Sequence, residues 1–157
     1  MYYRYMDSPI GRLFLAGNED GLAWIGFPNG KNIYEPEADW EENAEPLAAA
    51  VRQLTDYFEG NRKQFDLRLS PAVTPFQGRV LQALQAVPYG ETVTYGELAR
   101  RIGQPKASRA VGMANARNPI PIVIPCHRVI GKSGKLTGYG GGLDVKQALL
   151  DLEQGHR

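Results

Sequence analysis

From Asn118 to Pro125 the chain runs Asn-Pro-Ile-Pro-Ile-Val-Ile-Pro and then reaches Cys126, the single cysteine of 157 residues. Proline fixes φ and removes a backbone donor, so an apolar run bounded by prolines delivers the next residues from a buried segment at a rigid position. Those residues are Cys126-His127-Arg128-Val129-Ile130. One cysteine excludes an internal disulfide framework, and one cysteine with two histidines does not make a structural zinc site. No metal is expected. A lone buried thiol is by default a small hydrophobe. A reactive one needs a base and surroundings that favour the thiolate. His127 and Arg128 are placed to supply both. In an extended segment neighbouring side chains point to opposite faces, so a water bridging thiol and imidazole is the expected link. The histidine would also need an orienting carboxylate, with Glu91, Glu97, Asp144, Asp151 and Glu153 as candidates.

Charge is divided unevenly. Residues 1–75 carry 7 basic and 12 acidic side chains, net −5, whereas residues 76–157 carry 11 and 5, net +6. The overall charge of +1 conceals this split. A polyanion would be drawn to one half and repelled by the other. No apolar run reaches the length of a membrane span, and Met1-Tyr2-Tyr3-Arg4-Tyr5 does not resemble a secretory leader. A cytoplasmic location with no membrane partner is the expectation.

The pattern along the chain predicts an α/β (α+β) fold. Ile10–Ala16, a turn at Asn18–Gly21 and Leu22–Phe27 read as an antiparallel hairpin. Residues 28–46 hold three prolines and no clear period, so a polar loop is expected. Leu47, Val51, Leu54 and Phe58 fall at helical spacing, and Gly60 stops that helix. Gln64–Leu69 reads as a short strand, and the proline-punctuated stretch up to Thr74-Pro75 marks a boundary between lobes 1–74 and 75–157. Beyond it, Phe76, Val80, Leu81 and Leu84 predict a helix ending near Pro88-Tyr89-Gly90.

Thr94-Tyr95-Gly96-Glu97 has capping-box spacing and opens a helix over residues 95–102. Gly103-Gln104-Pro105 turns the chain into a second helix from Ala107, ending near Asn115–Asn118, which is a helix-turn-helix layout. Ala107, Ser108, Ala110, Gly112 and Ala114 give the second helix little bulk, and Arg109 stands out among them. Such a helix can approach DNA closely or pack tightly on its own core. Gly131-Lys132-Ser133 is not a phosphate loop, because the required earlier glycine falls at Cys126. The glycines from Gly138 to Gly142 read as a loop where a flat ligand could approach backbone, and residues 145–153 form a last helix.

Ile124-Pro125-Cys126-His127-Arg128-Val129-Ile130 resembles the active-site signature of the O6-alkylguanine-DNA alkyltransferases, or methylated-DNA–protein-cysteine methyltransferases. Thr92–Ala99 around Tyr95, Ser108–Gly112 around Arg109, Asn118–Pro121, Tyr139–Leu143 and Glu153 come in the family's order. The likeness is strong over residues 75–154 and looser before them.

The resemblance implies a ribonuclease-H-like α/β lobe with antiparallel sheet and helix, followed by a mostly helical lobe with a helix-turn-helix. It implies a single-turnover DNA repair protein with no cofactor, acting as a monomer on double-stranded DNA that contains alkylated guanine. The protein would bind the minor groove, flip out O6-alkylguanine or O4-alkylthymine, and keep the alkyl group on Cys126. His127, oriented by Glu153, would take the thiol proton through water, and Asn118 would brace the active-site turn. Tyr95 would crowd the target phosphate and help protonate the departing guanine. Arg109 would enter the duplex, with Ala107, Ser108, Ala110, Gly112 and Arg128 meeting DNA around it. Val129, Tyr139, Gly140 and Gly141 would form the base pocket. Gly140 stands where some relatives carry serine.

Overall fold

The computed structural model describes every residue except Asn29, Lys31, Asn32, Ile33, Lys135, Thr137, Gly138 and Gly140. Three strands open the chain: Tyr2–Met6 (β1), Leu13–Asn18 (β2) and Gly21–Gly26 (β3). Strand β2 lies between the other two and pairs antiparallel with both. Leu13, Phe14, Leu15 and Ala16 are all fully buried, so both faces of this central strand are covered. On one face the Phe14 ring lies 5.3 Å from Tyr5 and stacks at 6.2 Å on Trp40.

The stretch expected as loop supplies more than loop. Glu41–Glu42 (β4) pairs parallel with β1, and Glu45–Leu47 forms a 3₁₀ turn that leads into Ala48–Phe58 (α1). Both glutamates are exposed, and their pairing is made by backbone alone, so no hydrophobic period announces it. Helix α1 ends as its composition indicates. Gly60 adopts φ +78°, and Asn61 N–H reaches back to the Asp56 carbonyl at 2.9 Å.

The strand expected over Gln64–Leu69 contracts to one parallel bridge between Leu22 and Leu69. The Gln53 side chain holds this segment by both ends of its amide, donating to the Asp66 carbonyl at 3.0 Å and accepting from Asp66 N–H at 2.9 Å. Backbone groups bonded to a side chain are not available to a ladder.

Thr74 then caps Pro75–Gln85 (α2), accepting from Gln77 N–H at 3.2 Å with Pro75 at the first helical position. Val93–Thr94 (β5) leads into Tyr95–Arg101 (α3), where Thr94 Oγ1 accepts from Glu97 N–H at 3.1 Å. The Glu97 carboxylate meets Arg100 and Arg101 at 3.2 and 3.4 Å. After the turn comes Ser108–Ala116 (α4), and the two helices pack on each other and on α2. Val129–Ile130 (β6) pairs parallel with β5, and Leu143–Gly155 (α5) closes the fold. The mixed α/β architecture agrees with the expectation. A continuous core links Leu15 and Ile25 of the sheet with Leu54 of α1, Leu84 of α2 and Leu149 of α5. Among the described residues no helix is long and apolar enough to cross a membrane.

The proline-rich segment is a closed loop. Asn118 Oδ1 accepts from Ile120 N–H at 3.0 Å, and its Nδ2 donates to the Ile124 carbonyl at 2.8 Å. Within this staple Ile122 sits at φ +75°, a conformation that a β-branched residue enters only when its surroundings impose it. The Pro119 carbonyl accepts from Ile25 N–H at 2.9 Å, which ties the loop to β3. Asn118→Ala should therefore cost about 1–3 kcal/mol in urea denaturation, since it strands the buried Ile120 N–H and removes one of the two bonds to the Ile124 carbonyl, which Cys126 N–H still holds. A loss below about 0.5 kcal/mol would show that the loop closes without the staple.

Candidate active site

Cys126 opens a single 3₁₀ turn, Cys126–Arg128, rather than the extended segment expected. Arg128 N–H closes the turn on the Pro125 carbonyl at 3.0 Å. At three residues per turn, neighbouring side chains diverge by about 120° instead of pointing to opposite faces. The thiol is buried, with 4% exposure. Burial pushes it up to about 11, although the Asn118 side chain, Tyr139 hydroxyl and Lys146 ammonium each favour the anion. Among the described residues the buried Tyr139 hydroxyl has no hydrogen bond of ordinary length, so it acts on sulfur as a nearby dipole. A thiol at that value is ionised to about one part in ten thousand at neutral pH. Nucleophilic attack by such a thiol therefore requires a base at the moment of reaction.

The next residue carries an imidazole. His127 is fully buried, and its Nε2 lies 2.6 Å from Glu153 Oε2. Glu153, reaching in from α5, is held well below the usual carboxylate range: burial opposes its charge, but His127 and Arg128 outweigh it. An ionised carboxylate only accepts, so the imidazole proton is assigned to Nε2. The lone pair is then on Nδ1, which is buried and has no protein partner among the described residues. Burial, the largest influence on His127, lowers its affinity for a proton. The ring rests neutral and ready to accept one.

The carboxylate of Glu153 is saturated. Oε2 accepts from His127, from Tyr57 Oη at 2.6 Å and from Arg128 Nη2 at 3.0 Å. Oε1 accepts from Arg128 Nε at 2.8 Å and from Gly90 N–H at 3.2 Å. Arg128 was expected to meet DNA, and here the structure corrects the sequence reading. Its side chain is only 7% exposed, grips Glu153 by two nitrogens, and places Nη1 2.7 Å from the Val87 carbonyl. All three nitrogens of the guanidinium are thereby engaged inside the protein.

The remaining expected residues fall into two sets. Val129 comes directly after the thiol turn and pairs with Val93, and Thr94 pairs with Ile130, so the ladder joins the thiol turn to the strand that leads into Tyr95 and α3. Tyr139 packs against Phe27 at 5.8 Å. Gly141 lies so close to the same ring that an added Cβ would approach it to 2.8 Å. Gly140 and Gly138 lie outside the described residues. On α4, Ser108, Arg109 and Ala110 are exposed, and Ala107 and Gly112 are half-buried. A Cβ on Gly112 would touch the Tyr95 ring at 3.5 Å. The buried end of α4 reaches the thiol turn, where Asn115 Nδ2 donates to the Cys126 carbonyl at 3.4 Å.

Three residues of the site were not foreseen. Tyr57 and Asn115 looked like ordinary helix positions. Lys146 is completely buried on α5, in line with Leu149 and Glu153. That spacing was legible, because a lysine on the same helical face as Leu149 and Glu153 points inward.

Both titrating groups of the buried cluster work against acid. The unfolded chain protonates histidine near 6.5, whereas native His127 is lowered below that. Unfolded glutamate protonates near 4.5, and native Glu153 far below. In each case the unfolded state binds protons first, so stability is present above the unfolded value and is lost as pH falls through it. Denaturation midpoints measured from pH 8 to pH 4 should decline in two stages, the first of them absent in His127→Gln. A flat curve in wild type between pH 7 and 5.5 would refute the buried neutral histidine.

Comparison with known proteins places this geometry. Residues 75–155 match the model described as 6-O-methylguanine DNA methyltransferase, DNA binding domain, and residues 1–71 match its ribonuclease-like domain. The methylated-DNA–protein-cysteine methyltransferase of Methanosarcina acetivorans is 57% identical over 153 residues, covering 98% of both chains. That of Mycolicibacterium paratuberculosis is 56% identical over 98% of this chain and 93% of its own. A crystal structure of Mycobacterium tuberculosis OGT in complex with DNA superposes with a TM-score of 0.93 at 49% identity, over 99% of this chain and 94% of that one. A thiol beside a buried His–Glu pair, on a chain matched over nearly its whole length, belongs to the 6-O-methylguanine DNA methyltransferase family of DNA repair alkyltransferases.

Proposed function

We propose that Cys126 is the alkyl acceptor and that each molecule reacts once. The observation that carries this reading is the fixed His127 ring in the residue after the thiol, with Nε2 committed to Glu153 and Nδ1 left without a protein partner among the described residues. In the proposed reaction Nδ1 takes the thiol proton through a bridging water. The sulfur electron pair forms the S–C bond as the bond from carbon to guanine O6 breaks. The guanine leaves with the bonding pair and takes up a proton with the help of the Tyr95 hydroxyl. A thioether is not cleaved by water under cellular conditions, which is why one alkyl group exhausts the site.

In the same reading residues 75–157 form the lobe that meets double-stranded DNA, and residues 1–74 form a ribonuclease-H-like lobe behind it. Helix α4 lies in the minor groove, where its small residues Ala107, Ser108, Ala110 and Gly112 permit close approach. Arg109 enters the stack and holds the gap. The target carbon is out of reach inside a duplex, so O6-alkylguanine, or O4-alkylthymine, is extruded into the pocket. Val129, Tyr139, Gly140 and Gly141 line that pocket, and Asn118 keeps the turn in place. The protein acts as a monomer in the cytoplasm, without cofactor or metal.

Incubation with a duplex carrying O6-methylguanine should add one methyl group to Cys126 by mass spectrometry and none to Cys126→Ser. Turnover beyond one equivalent, or a methyl group elsewhere, would reject the acceptor role. Arg109→Ala should slow repair of duplex DNA by about ten-fold or more, a loss of about 1.4 kcal/mol in the transition state. Its reaction with free O6-benzylguanine should be little changed. Equal loss on both substrates would remove Arg109 from the DNA-opening step.

A further inference from the structure

Helix α1 belongs to the half of the chain remote from Cys126 in sequence, yet it sends one side chain into the reacting cluster. Tyr57 is fully buried, and its hydroxyl lies 2.6 Å from Glu153 Oε2, across 96 residues of sequence. The oxygen it meets is the same one that receives His127 Nε2. We propose that Tyr57 is a positioning residue for alkyl transfer: through its hydroxyl, helix α1 sets how much of the Glu153 charge is available to His127. This rests on the reading of His127 as the base that takes the thiol proton.

The physical argument is competition for one acceptor. Each donor that bonds an oxygen draws on its charge and weakens it as a partner for the others. Burial and the adjacent Glu153 charge keep the Tyr57 phenol protonated, so it donates throughout the neutral range. When His127 accepts the thiol proton it becomes a cation, and Glu153 is the anion that stabilises it. A strong Tyr57 bond moderates that stabilisation and limits how long the proton is held.

The other groups facing His127 are fixed in kind. Glu153 and Lys146 come from α5, and Arg128 follows it in the turn; Tyr89, from the segment before β5, and Tyr139, from the loop before α5, act on Glu153 rather than on the ring. Among the donors bonded to the shared oxygen, Tyr57 is the one that reaches it from the amino-terminal half. Its ring is packed independently of the hydroxyl, 5.4 Å from Phe58 and 5.6 Å from Phe65, so the hydroxyl can be removed with the ring in place.

The test is the titration of His127 followed by NMR of its ring nitrogens, which His156 alone could overlap. In Tyr57→Phe the oxygen loses a competing donor, and the titration should move up by about half a pH unit or more. In protein with 3-fluorotyrosine at position 57, a stronger phenol donor, it should move down. This second protein keeps the hydroxyl and the packing, and it carries the test if Tyr57→Phe does not fold. A His127 titration unchanged in both would overturn the proposal and leave Tyr57 as core packing. The acid limb of single-turnover methyl transfer should move with the titration. A limb that stays put while the titration moves would instead overturn His127 as the base, leaving the coupling to Tyr57 intact.

Discussion

The carboxylate of Glu153 is the joint on which the rest of the structure turns. It is nearly inaccessible to solvent and accepts bonds from Tyr57, Gly90, His127 and Arg128. These donors come from helix α1, the segment before β5, and the thiol turn, and the carboxylate itself comes from α5. Breaking a buried pair of this kind costs about 3–5 kcal/mol, comparable with the whole stability of a small domain. One charge thus joins the two halves of the chain and settles the protonation of the histidine next to the thiol. Structural and chemical roles are not separable here.

A second set of bonds performs the same service from the other side. Asn118 staples the proline loop, Asn115 holds the Cys126 carbonyl, and the ladder of β5 with β6 fixes the chain as it leaves the thiol turn. The chain tolerates a left-handed Ile122 in this loop because its neighbours leave no alternative. The position of the sulfur is therefore imposed from several directions at once.

Much of this was legible in the sequence, and the unread parts share a cause. Helix periods, the Thr94 cap and the Gly60 stop are local signals, and they located helices α1 to α5 to within a few residues. Cys126 and His127 stood out as a short run with a familiar composition, and the buried His127–Glu153 contact is among the pairings the sequence offered. What failed depended on contacts between distant segments. Glu41 and Glu42 pair through backbone, which leaves no side-chain period. Gln64–Leu69 was diverted from a ladder by Gln53, a residue of the preceding helix. Arg128 looked like one more cation on a basic half, and only the fold reveals that Glu153 and Val87 claim it. Tyr57 drew no notice, because nothing near it in sequence announces a partner 96 residues away.

The bonds from Asn115 and Asn118 have a consequence for how such a protein handles its target. They join the end of α4 directly to the segment that carries the sulfur, so the span from exposed helix to thiol is a gauge cut to one length. A gauge does not reach. On the reading proposed for α4, the travel needed to bring carbon to sulfur falls to the nucleotide.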